Sequence, residues 1–187
     1  GTLPNSTSGF PEWTAEFPNR IVVGQPINYF YGYEFIGVYQ DKQEIDSDPI
    51  AARYNQSATS PIVPGFPKYK DQNGDGVLDD KDRINMGSYL PKVTYGFNQG
   101  LTYKNFDFSI AFQGVSGNKI LNLNRGRLYK ASSSINLDEK FASSLWTGPG
   151  STNAYPSAYA LGQSWFKVSN SFFVESGAYL RIQNIQL

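Results

Sequence analysis

The sequence lacks cysteine and histidine altogether. The chain therefore has no disulfide framework, no Ser-His-Asp or Cys-His nucleophile and none of the usual zinc ligands. Asp and Glu remain as acid–base candidates, but the adjacent pair Asp138-Glu139 is more typical of a helix start than of a catalytic couple. These absences exclude the nucleophile and zinc classes of enzyme, and a carboxylate-pair glycosidase remains the alternative to our prediction that the protein is not an enzyme.

An excess of charge and long apolar runs are also missing. Lys and Arg together number 16, as do Asp and Glu, so the formal net charge is zero. Nothing in this balance favours nucleic acid or an anionic lipid surface as a partner. No apolar run approaches the length of a transmembrane helix, and no signal peptide is recognisable at Gly1. If the protein is secreted or membrane-bound, we expect this chain to be a mature or internal piece of it.

One acidic stretch matches the spacing of the twelve-residue calcium loop. It offers oxygen side chains at loop positions 1, 3, 5, 9 and 12, a backbone carbonyl at position 7 and a glycine at the sharp turn. The predicted ligands of a divalent cation, with calcium as the candidate, are Asp71, Asn73, Asp75, Val77, Asp79 and Asp82. Asp82 stands where the loop usually has Glu, and its shorter side chain predicts weaker binding. The alternative is a metal-free turn, because Asx and Gly residues also build turns.

A β-hairpin is the clearest predicted secondary structure. Apolar residues alternate with polar or small ones on both sides of the two-residue turn Lys104-Asn105, so each strand has one apolar and one polar face. The apolar positions are Val93, Tyr95, Phe97, Leu101, Tyr103, Phe106, Phe108, Ile110 and Phe112. A water-soluble sheet shows the same period. The length of the first strand, its Gly, Asn and Thr face and the aromatics at the turn favour a membrane barrel.

Two further stretches are predicted to form strands. The stretch from Asn28 to Gln40 is dense in aromatic and β-branched residues, and Gly32 and Gly37 argue against a helix. In the stretch from Ala178 to Leu187 the alternation slips near Asn184, as a β-bulge would cause.

The segments between these strands are predicted to be loops. Asp41 to Gly65 is polar and then rich in proline, and Asp48-Pro49 and Ser60-Pro61 are predicted to mark bends. Ser116 to Asn170 is polar and is expected to form a long loop with one short helix that begins at Asn136. The helix would place Leu137, Phe141 and Leu145 on one face. Aromatic side chains in this loop either stack on sugar rings or, as we favour, pack within the loop: Trp146, Tyr155, Tyr159 and Trp165.

Several segments resemble one protein family in order along the chain. Phe30–Gln40 resembles the FYGYxxxGIYQ segment of the SusC/RagA family of TonB-dependent outer-membrane transporters. Lys68–Arg83 is similar to that family's KYKDxNGDGxIDxxDR, and Pro91–Ser109 to its PKxTYGFNxxxxYKNFDLS. Tyr179–Leu187 resembles its YLRIKNIxL.

The resemblance implies an all-β fold in which antiparallel strands form part of a large transmembrane β-barrel of 22 strands with long extracellular loops. Residues 1–187 would be a partial C-terminal section, without the plug domain, the TonB box and the last strands. The implied function is import of oligosaccharides or peptides across the bacterial outer membrane. The implied partners are a SusD-like surface lipoprotein, the TonB complex and outer-membrane lipid.

A second interpretation is a secreted, calcium-stabilised, β-rich binding module of the dockerin type. Such modules have paired calcium loops with flanking helices, whereas this sequence has one loop and a strong β pattern.

In a barrel, short turns face the periplasm and long loops face outward. The turn Lys104-Asn105 is then predicted to be periplasmic and the acidic loop extracellular.

Overall fold

The computed structural model describes residues 19–21, 23–58, 60–122, 139–166 and 168–187, and the statements below concern these residues. The strands are β1 (Asn19–Arg20), β2 (Tyr29–Tyr33), β3 (Phe35–Val38), β4 (Pro67–Tyr69), β5 (Arg83–Ser88), β6 (Val93–Tyr103), β7 (Phe106–Ser116), β8 (Lys119–Leu121), β9 (Val174–Ser176) and β10 (Tyr179–Gln186). The helices are α1 (Lys42–Ser47), α2 (Pro49–Ser57) and α3 (Glu139–Ala142), with 3-10 turns at Asp80–Asp82, Ala160–Gly162, Ser164–Phe166 and Ser171–Phe173. No helix in these ranges is both long and apolar enough to cross a membrane.

The predicted hairpin is confirmed as two strands of a three-stranded antiparallel sheet in the order β10-β7-β6, here called the long sheet. The pairing of β6 with β7 runs without a break from Val93 opposite Ser116 to Tyr103 opposite Phe106. At the two-residue turn Lys104 has φ +54°, the left-handed conformation that tight hairpin turns require.

Strand β10 pairs with β7 and contains the predicted bulge. The register shifts between Ile182, which lies opposite Phe112, and Asn184, which lies opposite Ala111. One residue of β10 therefore has no partner on β7 at this point.

The aromatic stretch from Asn28 to Gln40 is extended, as predicted, but it forms two strands that lie in different sheets. Strand β2 lies between β1 and β5, whereas β3 pairs with β4 alone. The pairing of β2 with β5 and that of β3 with β4 are antiparallel, and each contains a register shift. Glu34 separates the two strands.

The segment from Asp41 to Gly65, for which the sequence predicted only bends, contains the helices α1 and α2. Asp41 caps α1 by accepting the N–H of Glu44 at 2.8 Å. Asp48 caps α2 by accepting the N–H of Ile50 at 2.9 Å, and Pro49 occupies the first turn of that helix. The Asp48-Pro49 pair therefore starts a helix.

We call the described residues outside β6, β7, their turn and β10 the head, which lies at the end of the long sheet opposite the Lys104 turn. Its first apolar cluster takes residues from β2, β4, α1, α2, two of the 3-10 turns and the segments between them: Tyr33, Tyr39, Ile45, Ile50, Ala51, Ile62, Phe66, Tyr69, Ala160 and Trp165. The second cluster comprises Phe141, Leu145, Leu161, Phe166, Phe172 and Phe173. The head therefore has its own core, and the long sheet contributes no residue to it.

The described part of the long loop predicted between Ser116 and Asn170 is folded into the head. Phe141 and Leu145 are both buried in the second cluster, but α3 ends at Ala142, so the predicted helical face does not extend to Leu145. Asn136 and Leu137 lie outside the described residues.

Candidate functional site

Asp71 organises the first half of the acidic loop. Its Oδ1 accepts the N–H of Gly74 at 2.6 Å and its Oδ2 accepts the N–H of Gly76 at 2.8 Å. Both glycines have positive φ, at +76° and +72°, a conformation that other residues adopt only with strain. These donors, that of Gly76 first, lower the pKa of the Asp71 carboxyl below its usual value. Asp71 is therefore ionised, as a metal ligand must be, over a wider pH range than an ordinary Asp.

Asn73 and Asp75 continue the same winding. Asn73 Oδ1 accepts the N–H of Asp75 at 3.0 Å, and Asp75 Oδ1 accepts the N–H of Val77 at 2.9 Å. Asn73 Nδ2 also donates to Asp75 Oδ2 at 2.8 Å. The structure thus brings the residues at loop positions 1, 3 and 5 onto one tightly wound turn, with the last two in direct contact.

Asp82 closes the loop from inside the head. Its carboxylate is fully buried, with Oδ1 accepting the N–H of Gln72 at 2.9 Å and Oδ2 accepting the N–H of Asp79 at 2.8 Å. Asp79 Oδ1 in turn accepts the N–H of Lys81 at 2.8 Å. Both oxygens of the residue at position 12 therefore bond to backbone groups at the two ends of the loop.

Lys81 is a neighbour of the acidic groups that the sequence pattern does not reveal. Its Nζ lies 3.8 Å from Asp75 Oδ2 and 3.7 Å from Asp79 Oδ2. This ammonium group reduces the repulsion between the carboxylates. In the part of the chain that the structure describes, no group of three or more carboxylates converges closely enough to hold a metal ion.

The donor chemistry of the loop nevertheless fits a hard cation. Asp71, Asn73 and Asp75 present oxygen atoms within five residues, and calcium prefers such ligands. Asp82 fits a structural role, because it is fully buried and its two oxygens accept N–H groups from the two ends of the loop, whereas Asp71 is partly exposed. The 3-10 turn Asp80–Asp82 leads directly into β5, so the α-helix that follows such a loop in an EF-hand is replaced here by a strand.

The acidic loop is fixed to the rest of the head at two points. A Cβ added to Gly76 would lie 3.0 Å from the Cβ of Pro49 at the start of α2. Gln72 Nε2 donates to Glu34 Oε2 at 2.8 Å, and Lys70 Nζ lies 3.4 Å from the same oxygen. The hydrogen bond from Gln72 is the main reason why the pKa of Glu34 is lowered. The loop is thus held between α2 and the junction of β2 with β3.

An open cleft of about 340 Å³ lies beside the first residue of the loop, lined by Ile36, Glu44, Ser47, Asp48, Pro49, Ile50, Lys68, Tyr69, Lys70 and Asp71. Lys68 Nζ bonds to Glu44 Oε1 at 2.9 Å, and Tyr39 Oη donates to Asp48 Oδ2 at 2.8 Å. These charged groups of the cleft are therefore already paired within the head.

The long sheet has one apolar face, and the residues on it are exposed in this chain. Phe97 lies opposite Phe112 with ring centroids 6.3 Å apart, and Ile182 lies opposite Phe112 on the other side. Phe97 is 57% exposed and Ile182 53% exposed. A contiguous apolar surface of this kind needs an apolar environment.

The opposite face of the long sheet is polar. Gly96, Gln113 and Arg181 lie side by side across the three strands. Arg181 donates to Gln113 Oε1 at 3.3 Å, and its guanidinium lies 5.7 Å from the ring of Tyr179. The two faces therefore suit different solvents.

The four aromatic residues singled out in the long loop have different surroundings. Trp165 is buried, and its indole N–H donates to the carbonyl oxygen of Pro67 at 2.8 Å. Tyr155 packs against the second cluster. Trp146 is half-buried, whereas Tyr159 is 60% exposed. Packing, which we favoured, describes Trp165 and Tyr155 but leaves Tyr159 largely open.

Two relatives with curated names match nearly the whole chain. It is 35% identical over 173 residues to TonB-dependent receptor P26 of Formosa agariphila, and the match covers 90% of this chain and 16% of that receptor. It is 32% identical over 162 residues to TonB-dependent receptor P3 of the same organism, which covers 87% of this chain and 15% of that receptor. The chain thus spans about one-sixth of the length of these relatives. No protein-family model matches it.

Among solved structures, the chain is similar to the RagAB peptide transporter. The TM-score is 0.54 at 19% sequence identity, and the match covers 84% of this chain and 16% of that one. This likeness concerns the fold, and it confirms the predicted all-β fold as a section of a barrel. The relatives are named receptors, in agreement with the prediction that the protein is not an enzyme. In sequence, this chain corresponds to a section of a TonB-dependent receptor, and its fold is similar to a section of the RagAB peptide transporter.

Proposed function

We propose that the chain is a barrel section of a SusC/RagA-type importer in the bacterial outer membrane. The importer takes up oligosaccharides or peptides, draws energy from the TonB complex and works with a SusD-like surface lipoprotein. The observation that carries the proposal is the long sheet, which has an exposed apolar face and a polar opposite face. Lipid would cover the first face and the barrel interior would solvate the second.

The dimensions of the long sheet support this proposal. Strand β6 has 11 residues, which at about 3.3 Å per residue and a tilt of about 45° span about 25 Å, the height of the apolar band of outer-membrane barrels. Exposed aromatic residues stand at both ends of this span, with Tyr89 on the side of the head and Tyr103 and Phe106 at the hairpin turn. Such residues anchor a barrel at the membrane interfaces.

The proposed orientation follows from the two ends of the long sheet. The Lys104-Asn105 turn has two residues, whereas the other end carries the whole head. Because short turns of such barrels face the periplasm, the head would lie on the cell surface. This location would expose the acidic loop to external calcium and to arriving nutrients.

Neighbouring positions of β6 allow a matched test in the full-length receptor. Phe97 and Asn98 are adjacent and point to opposite faces. We expect Phe97→Arg to cost about 2–4 kcal/mol, because an arginine would then face the middle of the lipid layer. Its readout is the amount of heat-modifiable, folded receptor in the outer-membrane fraction.

Asn98→Arg is the control, because it places the same charge on the polar face, where a smaller loss is expected. Equal folding of the two variants would contradict the proposal. Solubility of the receptor without detergent would favour the secreted binding module instead. Loss of import in a strain without TonB tests the proposed energy source separately.

We also propose that the acidic loop binds a divalent cation, with calcium as the candidate. The proposed ligands are Asp71, Asn73, Asp75, the carbonyl oxygen of Val77 and Asp79. Asp82 was predicted to be a ligand as well, and its two bonds to backbone N–H groups support a role in holding the loop closed. A bound cation would supply positive charge that draws the carboxylates together.

Calcium titration of the purified full-length receptor tests this second proposal. Binding heat and calcium-dependent protection of the loop from proteolysis are expected for the natural sequence. Both should be lost in Asp71→Asn, which removes the most central carboxylate, and kept in Asp46→Asn, which changes an exposed carboxylate on α1. Absence of binding at millimolar calcium would favour the metal-free turn.

A further inference from the structure

Two aromatic side chains flank the Pro64-Gly65 turn on the surface of the head. Trp146 lies against the backbone at Gly65, where an added Cβ would come within 2.6 Å of its Cε3 atom. On the next residue, the ring of Phe66 packs on that of Tyr159, with centroids 5.8 Å apart. The N–H of Ser157 donates to the carbonyl oxygen of Gly65 at 2.8 Å. The two rings therefore pack against the adjacent residues Gly65 and Phe66, and we call Trp146 and Tyr159 the aromatic pair.

Each ring of the aromatic pair is supported on one side and open on another. Phe66 is fully buried beneath Tyr159, which is itself 60% exposed. The indole N–H of Trp146 donates to Gln40 Oε1 at 3.2 Å, and the same oxygen accepts the N–H of Gly150 at 2.9 Å. The indole orientation is thus fixed by a hydrogen bond as well as by packing. A ligand would meet preformed ring surfaces and would not have to order them.

The segments that carry the aromatic pair contain no ionisable acid or base of the Asp, Glu, Lys or Arg type. None occurs from Tyr54 to Pro67 or from Phe141 to Phe166. The polar side chains there are hydroxyls and amides, among them Ser60, which donates to Gln163 Oε1 at 2.9 Å. These two segments therefore offer hydrogen bonds but no counter-ion for a charged ligand, and Glu44, which accepts the N–H of Gln40 at 2.7 Å, is already paired with Lys68 at 2.9 Å.

We propose that the aromatic pair is a contact site for a neutral oligosaccharide. The face of a sugar ring that carries C–H groups is apolar and packs on an aromatic ring, while its hydroxyls bond to neutral polar groups at the rim. A peptide with charged ends or side chains would lose water there without gaining an ion pair from these two segments. The inference rests on the proposed import function, because it selects sugars over peptides as the class of cargo that first meets the head.

The test uses the purified full-length receptor in detergent on an array of immobilised ligands. The array carries neutral glucan, mannan, galactan and xylan oligosaccharides, acidic oligouronates and peptides. We expect binding to neutral oligosaccharides that falls about tenfold in Tyr159→Leu, which keeps an apolar side chain but removes the ring. Tyr159→Phe should retain it, because the ring remains. Tyr89→Phe, at an exposed tyrosine outside the pair, serves as a further control for folding and insertion.

Three results would overturn the proposal: no binding to any neutral oligosaccharide on the array, equal binding by Tyr159→Leu, or Tyr159-dependent binding of peptides. TonB-dependent import is measured separately in cells. Neutral-sugar binding that is lost in Tyr159→Leu, together with import that does not need TonB, would contradict the importer alone. TonB-dependent import by a receptor that binds no neutral sugar would contradict the aromatic pair alone.

Discussion

The indole N–H of Trp165 donates to the carbonyl oxygen of Pro67 across 98 positions of sequence, at 2.8 Å. Tyr69, two residues after Pro67, returns a bond from its hydroxyl to the carbonyl oxygen of Trp165 at 3.1 Å. Both side chains are buried in the first cluster. This reciprocal pair joins β4 to the 3-10 turn Ser164–Phe166, so the late segment of the head is fixed to the early one.

Trp165→Phe should loosen this junction. The substitution removes the N–H donor and leaves a buried carbonyl oxygen without it, which costs about 1–3 kcal/mol, and it also leaves a small cavity. Hydrogen exchange of the full-length receptor should show faster exchange in β4 and around residue 165. Trp146→Phe is the control, because its donor lies at the surface of the head, and it should change exchange in β4 little. Equal effects would contradict the importance of the Trp165 bond.

Asp82→Asn should open the acidic loop. Asn has one acceptor oxygen, so one of the N–H groups of Gln72 and Asp79 loses its partner, at a cost of about 1–3 kcal/mol. The amides of these two residues should exchange faster. Asp80→Asn is the control, since the side chain of Asp80 is 75% exposed. If both variants exchange alike, Asp82 does not hold the loop closed.

Alanine substitutions at two glycines of the acidic loop distinguish the effect of backbone strain from that of a steric contact. Ala at Gly74 meets open space and suffers only from the positive φ, at a cost of about 1–2 kcal/mol. Ala at Gly76 has the same strain and also presses on Pro49. Gly76→Ala should therefore be the more destabilising variant when protease sensitivity of the loop is compared. The reverse order would show that the loop does not rest on α2.

Acidification should release the loop from the head. The folded-state pKa values of Asp71 and Glu34 are lowered, Asp71 by backbone N–H donors and Glu34 by Gln72. Their contribution is thus complete above the unfolded pKa, about 4, and is lost as the pH falls through the lower folded value. Exchange in the loop, corrected for intrinsic rates, should rise in that range. Glu34→Gln should reduce this pH dependence, and an unchanged profile would contradict the assignment.

What the sequence allowed us to predict was local. The β6–β7 hairpin follows from alternation and a two-residue turn, both of which act between neighbours. Helices α1 and α2 were missed because they have 6 and 9 residues, too few to be stable alone, and depend on burial of Ile45 and Ile50 in the first cluster. The N-cap residues Asp41 and Asp48 were the sequence signals that could have revealed these helices.

In the acidic loop, too, the local hydrogen bonds were predictable from the sequence and the tertiary contacts were not. Its winding around Asp71, Asn73 and Asp75 was predictable because Asx residues bond to backbone groups two to five positions ahead. The burial of Asp82 and the approach of Lys81 were not, since both depend on how the loop lies on the head. The spacing of residues in the sequence shows which side chains can form hydrogen bonds or bind a cation. Packing decides which of them are already hydrogen-bonded within the head.

The unpaired residue of β10 preserves the orientation of a whole half-strand. Ile182 and Ile185 are an odd number of residues apart, yet they lie opposite Phe112 and Ile110, which share one side of β7. If Gln183 paired with Ala111 instead of bulging, the following residues would shift by one position and Ile185 would exchange faces with Asn184. Loss of the codon for Gln183 should therefore leave both faces of the sheet unchanged, because the pairing with β7 already skips this residue.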